Sequence, residues 1–114
     1  MSDARKRLGD RGEALVAEWY TERGFVVLDR QWRTRHGEID LVLGRPGLVV
    51  FCEVKTRSSS AYGSPFAAVG PQKQARLREL ALRWMSQRSG PVHRVRFDVA
   101  AVRHGHIEVI QSAF

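Results

Sequence analysis

Gly37-Glu38-Ile39-Asp40-Leu41-Val42-Leu43-Gly44-Arg45-Pro46-Gly47-Leu48-Val49-Val50-Phe51-Cys52-Glu53-Val54-Lys55 is the stretch that decides the fold. Two β-rich runs, residues 37–43 and 48–56, flank Gly44-Arg45-Pro46-Gly47, whose composition is that of a hairpin turn. Alternate residues of a strand share a face, so Glu38 and Asp40 point together, as do Glu53 and Lys55. With residues 44–47 as a four-residue loop, Leu43 pairs with Leu48, Asp40 faces Phe51 and Glu38 faces Glu53. Asp40 and Glu53 are then diagonal neighbours on one face, with backbone positions about 7 to 8 Å apart. A register slip of two would set them directly opposite and keep the face, whereas a slip of one would separate them.

Working outward, residues 3–23 carry Leu8, Gly12, Leu15, Val16 and Trp19 on a helical stripe, with Asp3 as cap and Gly24 as stop. Phe25-Val26-Val27-Leu28 begins a strand that runs toward Trp32. Beyond the hairpin, residues 57–70 form a loop rich in serine and glycine that contains Tyr62. Pro71 suits the first turn of a second helix, in which Leu77, Leu80, Ala81, Trp84 and Met85 recur at helical spacing until Ser89-Gly90-Pro91. Val95, Phe97 and Val99 alternate with Arg94, Arg96 and Asp98, and a His104-Gly105 turn leads to a last strand with Ile107 and Val109. The order α-β-β-β-α-β-β predicts one mixed α/β domain over residues 1–114, with the helices covering a central sheet.

The chain has 114 residues, 19 basic against 12 acidic, a net charge of +7, and 43% hydrophobic residues. That combination reads as a folded domain with an anionic partner rather than a disordered polybasic tail. The apolar run Leu48-Val49-Val50-Phe51-Cys52 is far below the roughly 18 residues needed to cross a bilayer, so no membrane association is expected. The basic amino-terminal residues have no apolar stretch behind them, and Cys52 alone allows neither an internal disulfide nor a cysteine-based zinc cluster. A cytoplasmic location is the expectation.

Three carboxylates on one face, Glu38, Asp40 and Glu53, repel unless a cation or proton offsets them. Oxygen ligands favour Mg²⁺ or Mn²⁺, and magnesium typically uses one or two carboxylates together with waters and phosphate oxygens. Lys55, two residues from Glu53, is placed to stabilise developing negative charge or to orient a water. The chain uses 16 Arg and only 3 Lys, yet this position is Lys, a compact ammonium with a movable pKa. Lys73, at the start of the second helix, is a candidate for a DNA backbone oxygen. Arg33 and Arg35 before the acidic strand and Arg57 after it extend a phosphate track, with Arg5, Lys6, Arg7 and Arg11 at the first helix. Tyr62 is a candidate for base stacking and Trp32 for packing. His104-Gly105-His106 reads as a polar turn, Cys52 points to the core, and Asp98 reads as a structural partner of an arginine.

Gly9 to Glu13 with Ala17, Gly37-Glu38-Ile39-Asp40-Leu41, Phe51-Cys52-Glu53-Val54-Lys55-Thr56-Arg57, Lys73, Arg96-Phe97-Asp98-Val99 and Ala113-Phe114 span most of the chain. In these pieces, taken in order, it resembles the bacterial YraN-like proteins, a predicted endonuclease branch of the PD-(D/E)xK nucleases similar to archaeal Holliday-junction resolvases. The resemblance implies a restriction-endonuclease-like core with a mixed sheet of about five strands. It also implies that Asp40 and Glu53 bind the metal, with the Val54 carbonyl as a further ligand, and that Lys55 is the catalytic lysine. Glu13 matches the acidic residue that approaches the same site from the first helix in resolvase-like relatives. Ile39 rather than proline precedes Asp40, so the motif's nominal proline is absent. The implied activity is Mg²⁺-dependent hydrolysis of phosphodiester bonds in DNA, including branched or recombination intermediates, by a homodimer. The alternative is a nucleic-acid-binding module that keeps the nuclease fold without cleaving.

Overall fold

The computed structural model describes residues 3–57, 69–90 and 94–114. Helix α1 covers Asp3–Thr21, followed by strands β1 (Val26–Thr34), β2 (Gly37–Arg45) and β3 (Leu48–Arg57). Helix α2 (Pro71–Ser86) then leads to β4 (Arg94–Arg103) and β5 (His106–Ile110). The order is the expected α-β-β-β-α-β-β, and the five strands form one sheet in sequence order. All neighbours are antiparallel except β3 and β4, which pair in parallel from Leu48↔Arg94 to Arg57↔Arg103. A parallel pair needs a crossover, and the segment containing α2 supplies it.

The two helices lie on opposite faces. Val16, Ala17 and Tyr20 of α1 pack with Leu41, Leu43, Val50, Cys52 and Ala100, while Leu80, Ala81 and Trp84 of α2 pack with Val42 and Phe51. Strand alternation produces this division, sending Leu41 and Leu43 to one layer and Val42 to the other. Tyr20 is fully buried whereas Trp19 is only partly so, which rotates the helix stripe from the one the spacing predicts. The Tyr20 hydroxyl needs a partner in that position and finds one in Asp98, itself fully buried. Asp98 also takes both a 2.9 Å bond from Arg96 Nε and one from its Nη2, together with the Ser112 amide at 3.0 Å. Asp98 is thus the structural partner of an arginine, as expected.

Helix α1 ends two residues earlier than its spacing suggests. The Phe25 amide bonds the Tyr20 carbonyl and the Gly24 amide bonds Thr21, with Gly24 at φ +87°, a Schellman closure that supplies the predicted stop. Strand β1 is shifted correspondingly, to residues 26–34 instead of 25–32.

The hairpin register is the main correction. Arg45 pairs with Leu48, so the loop contains only Pro46 and Gly47, rather than four residues. Proline fixes a φ near −65°, and Gly47 takes φ +79°, the combination a type II turn requires. The ladder is therefore displaced by two residues from the four-residue reading, and Leu41 faces Cys52. The second hairpin, β4 to β5, turns through His104 and Gly105 at φ +51° and +76°, the expected turn. Among the described residues, no helix is long and apolar enough to cross a membrane. Tyr62 and the rest of residues 58–68 lie outside the described residues.

Candidate active site

Continuing the β2–β3 register one step past Leu41↔Cys52 sets Asp40 directly across from Glu53. There the Val54 amide donates to Asp40 Oδ2 at 2.9 Å. Asp40 and Glu53 are both buried, at 9% and 7% exposure, and both line a cleft of about 320 Å³. Gly37, Glu38, Gln72, Lys73 and Arg76 complete its polar wall, and Leu77 and Leu80 its apolar floor. The site thus lies where the first turns of α2 pass over the start of β2 and the second half of β3.

Lys55, on the same face of β3 as Glu53, places Nζ 3.3 Å from Glu53 Oε2. Lys73, from the first turn of α2, contacts the same oxygen. The sequence reading aimed Lys73 at a DNA phosphate, whereas its partner in the structure is the site glutamate. A signal for this was present, since Lys73 is one turn before Leu77 and on the same helix face as Leu80, which places it over the sheet.

Charge distributes unevenly over the pair. Burial and the facing Glu53 carboxylate push Asp40 up to about 8. Burial also opposes ionisation of Glu53, but Lys73 and Lys55 outweigh it and hold Glu53 below its ordinary value. Lys55 is lowered by burial and by Lys73 beside it. Burial works the same way on Lys73, yet Glu53 prevails and raises it. Of the two facing carboxyls, Asp40 is thus the one that holds a proton more readily and Glu53 the one that the lysines keep ionised.

The remaining predicted residues are placed around this centre. Glu13 is half-buried and accepts from Gln31 Nε2 at 3.1 Å; its pKa is raised by burial and by Asp10 and Glu38. It acts on Asp40 through its charge but does not line the cleft. Gln31, which also bonds Asp10 at 3.0 Å, falls between the pairs Arg30↔Leu41 and Trp32↔Ile39 and so lies across from Asp40. Its φ of +47° has no signature in the sequence, and Gln31 was missed accordingly. Glu38 is drawn off by Arg33, whose Nε is 2.8 Å from Glu38 Oε2 on the cleft rim. The crowd of three carboxylates is therefore two plus a neutralised third. Arg35 is exposed in the β1–β2 turn, and Arg57 is half-buried at the end of β3, where it pairs with Arg103 of β4. Cys52 is buried on the opposite face, with its thiol pushed up by burial, and Trp32 packs against the α2 layer.

Among the described residues, no group of three or more His, Cys, Asp or Glu side chains is placed to hold a metal ion. The donor set of the cleft is two facing carboxylates, a number that suits magnesium when waters and substrate oxygens fill the other positions. Two carboxyls buried face to face also repel when ionised, and a divalent cation between them offsets that repulsion. The residues present therefore fit Mg²⁺ or Mn²⁺.

Sheet order, crossover and cleft define an α/β protein with a nuclease-like core. The profile described as Uncharacterised protein family UPF0102 matches residues 12–102. A UPF0102 protein of Rhodococcus opacus (strain B4) is 46% identical over 112 residues, covering 94% of this chain and 95% of its own. One of Anaeromyxobacter dehalogenans (strain 2CP-C) is 48% identical over 116 residues, covering 98% and 87%. The chain belongs to the UPF0102 family, the YraN-like proteins.

Proposed function

We propose that the chain is a divalent-metal-dependent endonuclease that hydrolyses phosphodiester bonds in DNA, with branched intermediates as the first substrates to try. The observation that carries this reading is that Asp40 and Glu53 are buried together against one open cleft, with Lys55 Nζ 3.3 Å from Glu53 Oε2. A structural ion pair would need one carboxylate, whereas this site buries a second carboxylate facing the first, at a cost that only a cation or proton offsets.

In this reading Asp40 and Glu53 hold Mg²⁺ or Mn²⁺, which when bound polarises the phosphodiester and acidifies water. The Val54 amide, 2.9 Å from Asp40 Oδ2, would keep that carboxylate oriented as a ligand. Lys55, only 17% exposed and anchored by Glu53, presents an ammonium to the phosphate oxygens where negative charge develops. Glu13, held by Gln31, adds negative potential at the back of the site. Arg76 lines the cleft, and Arg33 and Arg35 stand near its entrance as contacts for flanking phosphates.

The test compares wild type with Asp40→Ala on linear, flapped and four-way DNA, with and without Mg²⁺ or Mn²⁺. Metal-dependent cleavage by wild type, reduced by at least about a hundredfold in the variant, is the expected outcome. Absence of metal-promoted cleavage on every substrate, with DNA binding intact in both proteins, would leave a binding module on a nuclease fold.

A further inference from the structure

Of the chain's three lysines, Lys6 pairs with Asp10 on the surface of α1, while the other two meet at a single oxygen, Glu53 Oε2. In a protein with 16 arginines, two lysines on one buried carboxylate form a specific arrangement. Their settings differ. Lys55 is on the same strand as Glu53 and its side chain is 17% exposed, so it is held in place. Lys73 reaches across from α2, is 41% exposed, and its flexible stem lies along the open cleft.

We propose that Lys73 is a built-in stand-in for the metal: its ammonium occupies the cation side of Glu53 and leaves when a divalent ion enters. This inference rests on the endonuclease reading and adds to it a competition between one side chain and the cofactor. Electrostatics favours such an exchange. A divalent ion held by Asp40 and Glu53 would meet an ammonium in contact with one of its own ligand oxygens, and like charges at that separation repel strongly. Lys55 is packed in place, so Lys73 is the group free to move. The displaced ammonium stays within the cleft beside Gln72 and Arg76, where a substrate phosphate is the anion it meets. Metal entry thereby converts an internal ion pair into a phosphate contact, and the metal-free protein keeps Glu53 neutralised.

Isothermal titration of Mn²⁺ into full-length wild type, Lys73→Met and Asp40→Asn tests this without any cleavage. Lys73→Met keeps the stem and removes the charge, and it is expected to bind Mn²⁺ at least about tenfold more tightly than wild type. It should also melt at a lower temperature than wild type without metal, with the gap closing at saturating Mn²⁺, because the metal then supplies the cation both proteins need. Equal or weaker Mn²⁺ binding by a folded Lys73→Met overturns the stand-in while leaving the endonuclease reading in place. If no protein binds Mn²⁺ at millimolar concentration, the metal reading and the stand-in fall together. Lys73→Gln provides a second uncharged variant, and agreement of the two separates charge from packing.

Discussion

Asp40 carries a proton that its unfolded counterpart would have lost, because burial and Glu53 raise its pKa from 3.8 to about 8 in the folded chain. A group whose folded pKa is raised contributes stability that is fully present below the unfolded value and is lost as pH rises through the folded one. Without metal, stability should therefore decline between about pH 5 and 8.5, by about 2 kcal/mol or more, and level off above. Glu53 shifts the opposite way, and its contribution is lost only as pH falls through its lowered value, below this window. Asp40→Asn cannot ionise, so its urea midpoint should stay nearly constant over the same range. A wild-type protein whose midpoint is equally flat would show that Asp40 is ionised in the metal-free fold. Mg²⁺ should restore wild-type stability at the alkaline end and do nothing for the Asn variant.

At the level of elements, Gly12 sets how closely α1 approaches β3. A Cβ there would lie 2.1 Å from Thr56 Oγ1 and 3.2 Å from Thr56 Cβ, so rotating the hydroxyl away leaves a close contact with the strand itself. Gly12→Ala gains about 1 kcal/mol of helix propensity but must push the helix off the sheet, which costs typically 1 to 3 kcal/mol. A net loss of about 1 kcal/mol is expected by urea unfolding, and Thr56→Ala in the same chain should recover most of it. A neutral Gly12→Ala would mean that α1 is not clamped there. Because Glu13 follows Gly12 and Lys55 precedes Thr56, this contact also sets where the helix meets the site.

How far the sequence carries such arguments depends on the kind of interaction. The face shared by Asp40, Glu53 and Lys55 follows from strand parity alone, and parity survives a slip of two, so the pair was legible although the turn was misjudged. The turn is ambiguous in sequence because Gly44 and Gly47 bracket Arg45-Pro46 symmetrically, whereas in the fold Gly44 pairs with Val26 and Val49 and lies under Leu28. Lys73 and Glu53 are twenty positions apart in the sequence, and periodicity places a helix on a sheet without giving its position along it. Gln31 depends on a left-handed backbone position that no residue type announces, and Tyr20 displaced Trp19 from the core because Asp98 offered it a buried acceptor.

For the whole molecule, a net charge of +7 coexists with a buried acidic centre. The two site carboxylates are buried and partly neutralised, while Arg33 and Arg35 are exposed at the neighbouring β1–β2 turn and Arg57 caps the far end of β3. A phosphate backbone crossing the cleft would thus meet cations on either side. Binding to DNA, measured in Ca²⁺ or without metal so that no cleavage intervenes, should weaken with salt, with log K falling by about 0.9 per phosphate neutralised. Arg35→Ala and Arg57→Ala should each reduce that slope by about 1 and weaken binding alike on linear and four-way DNA. Arg33→Ala should change the slope less, because Glu38 already offsets that charge in their 2.8 Å ion pair. A salt-independent affinity, or a slope that none of the three substitutions changes, would direct the basic surface toward an acidic protein partner and remove DNA as the ligand of this cleft.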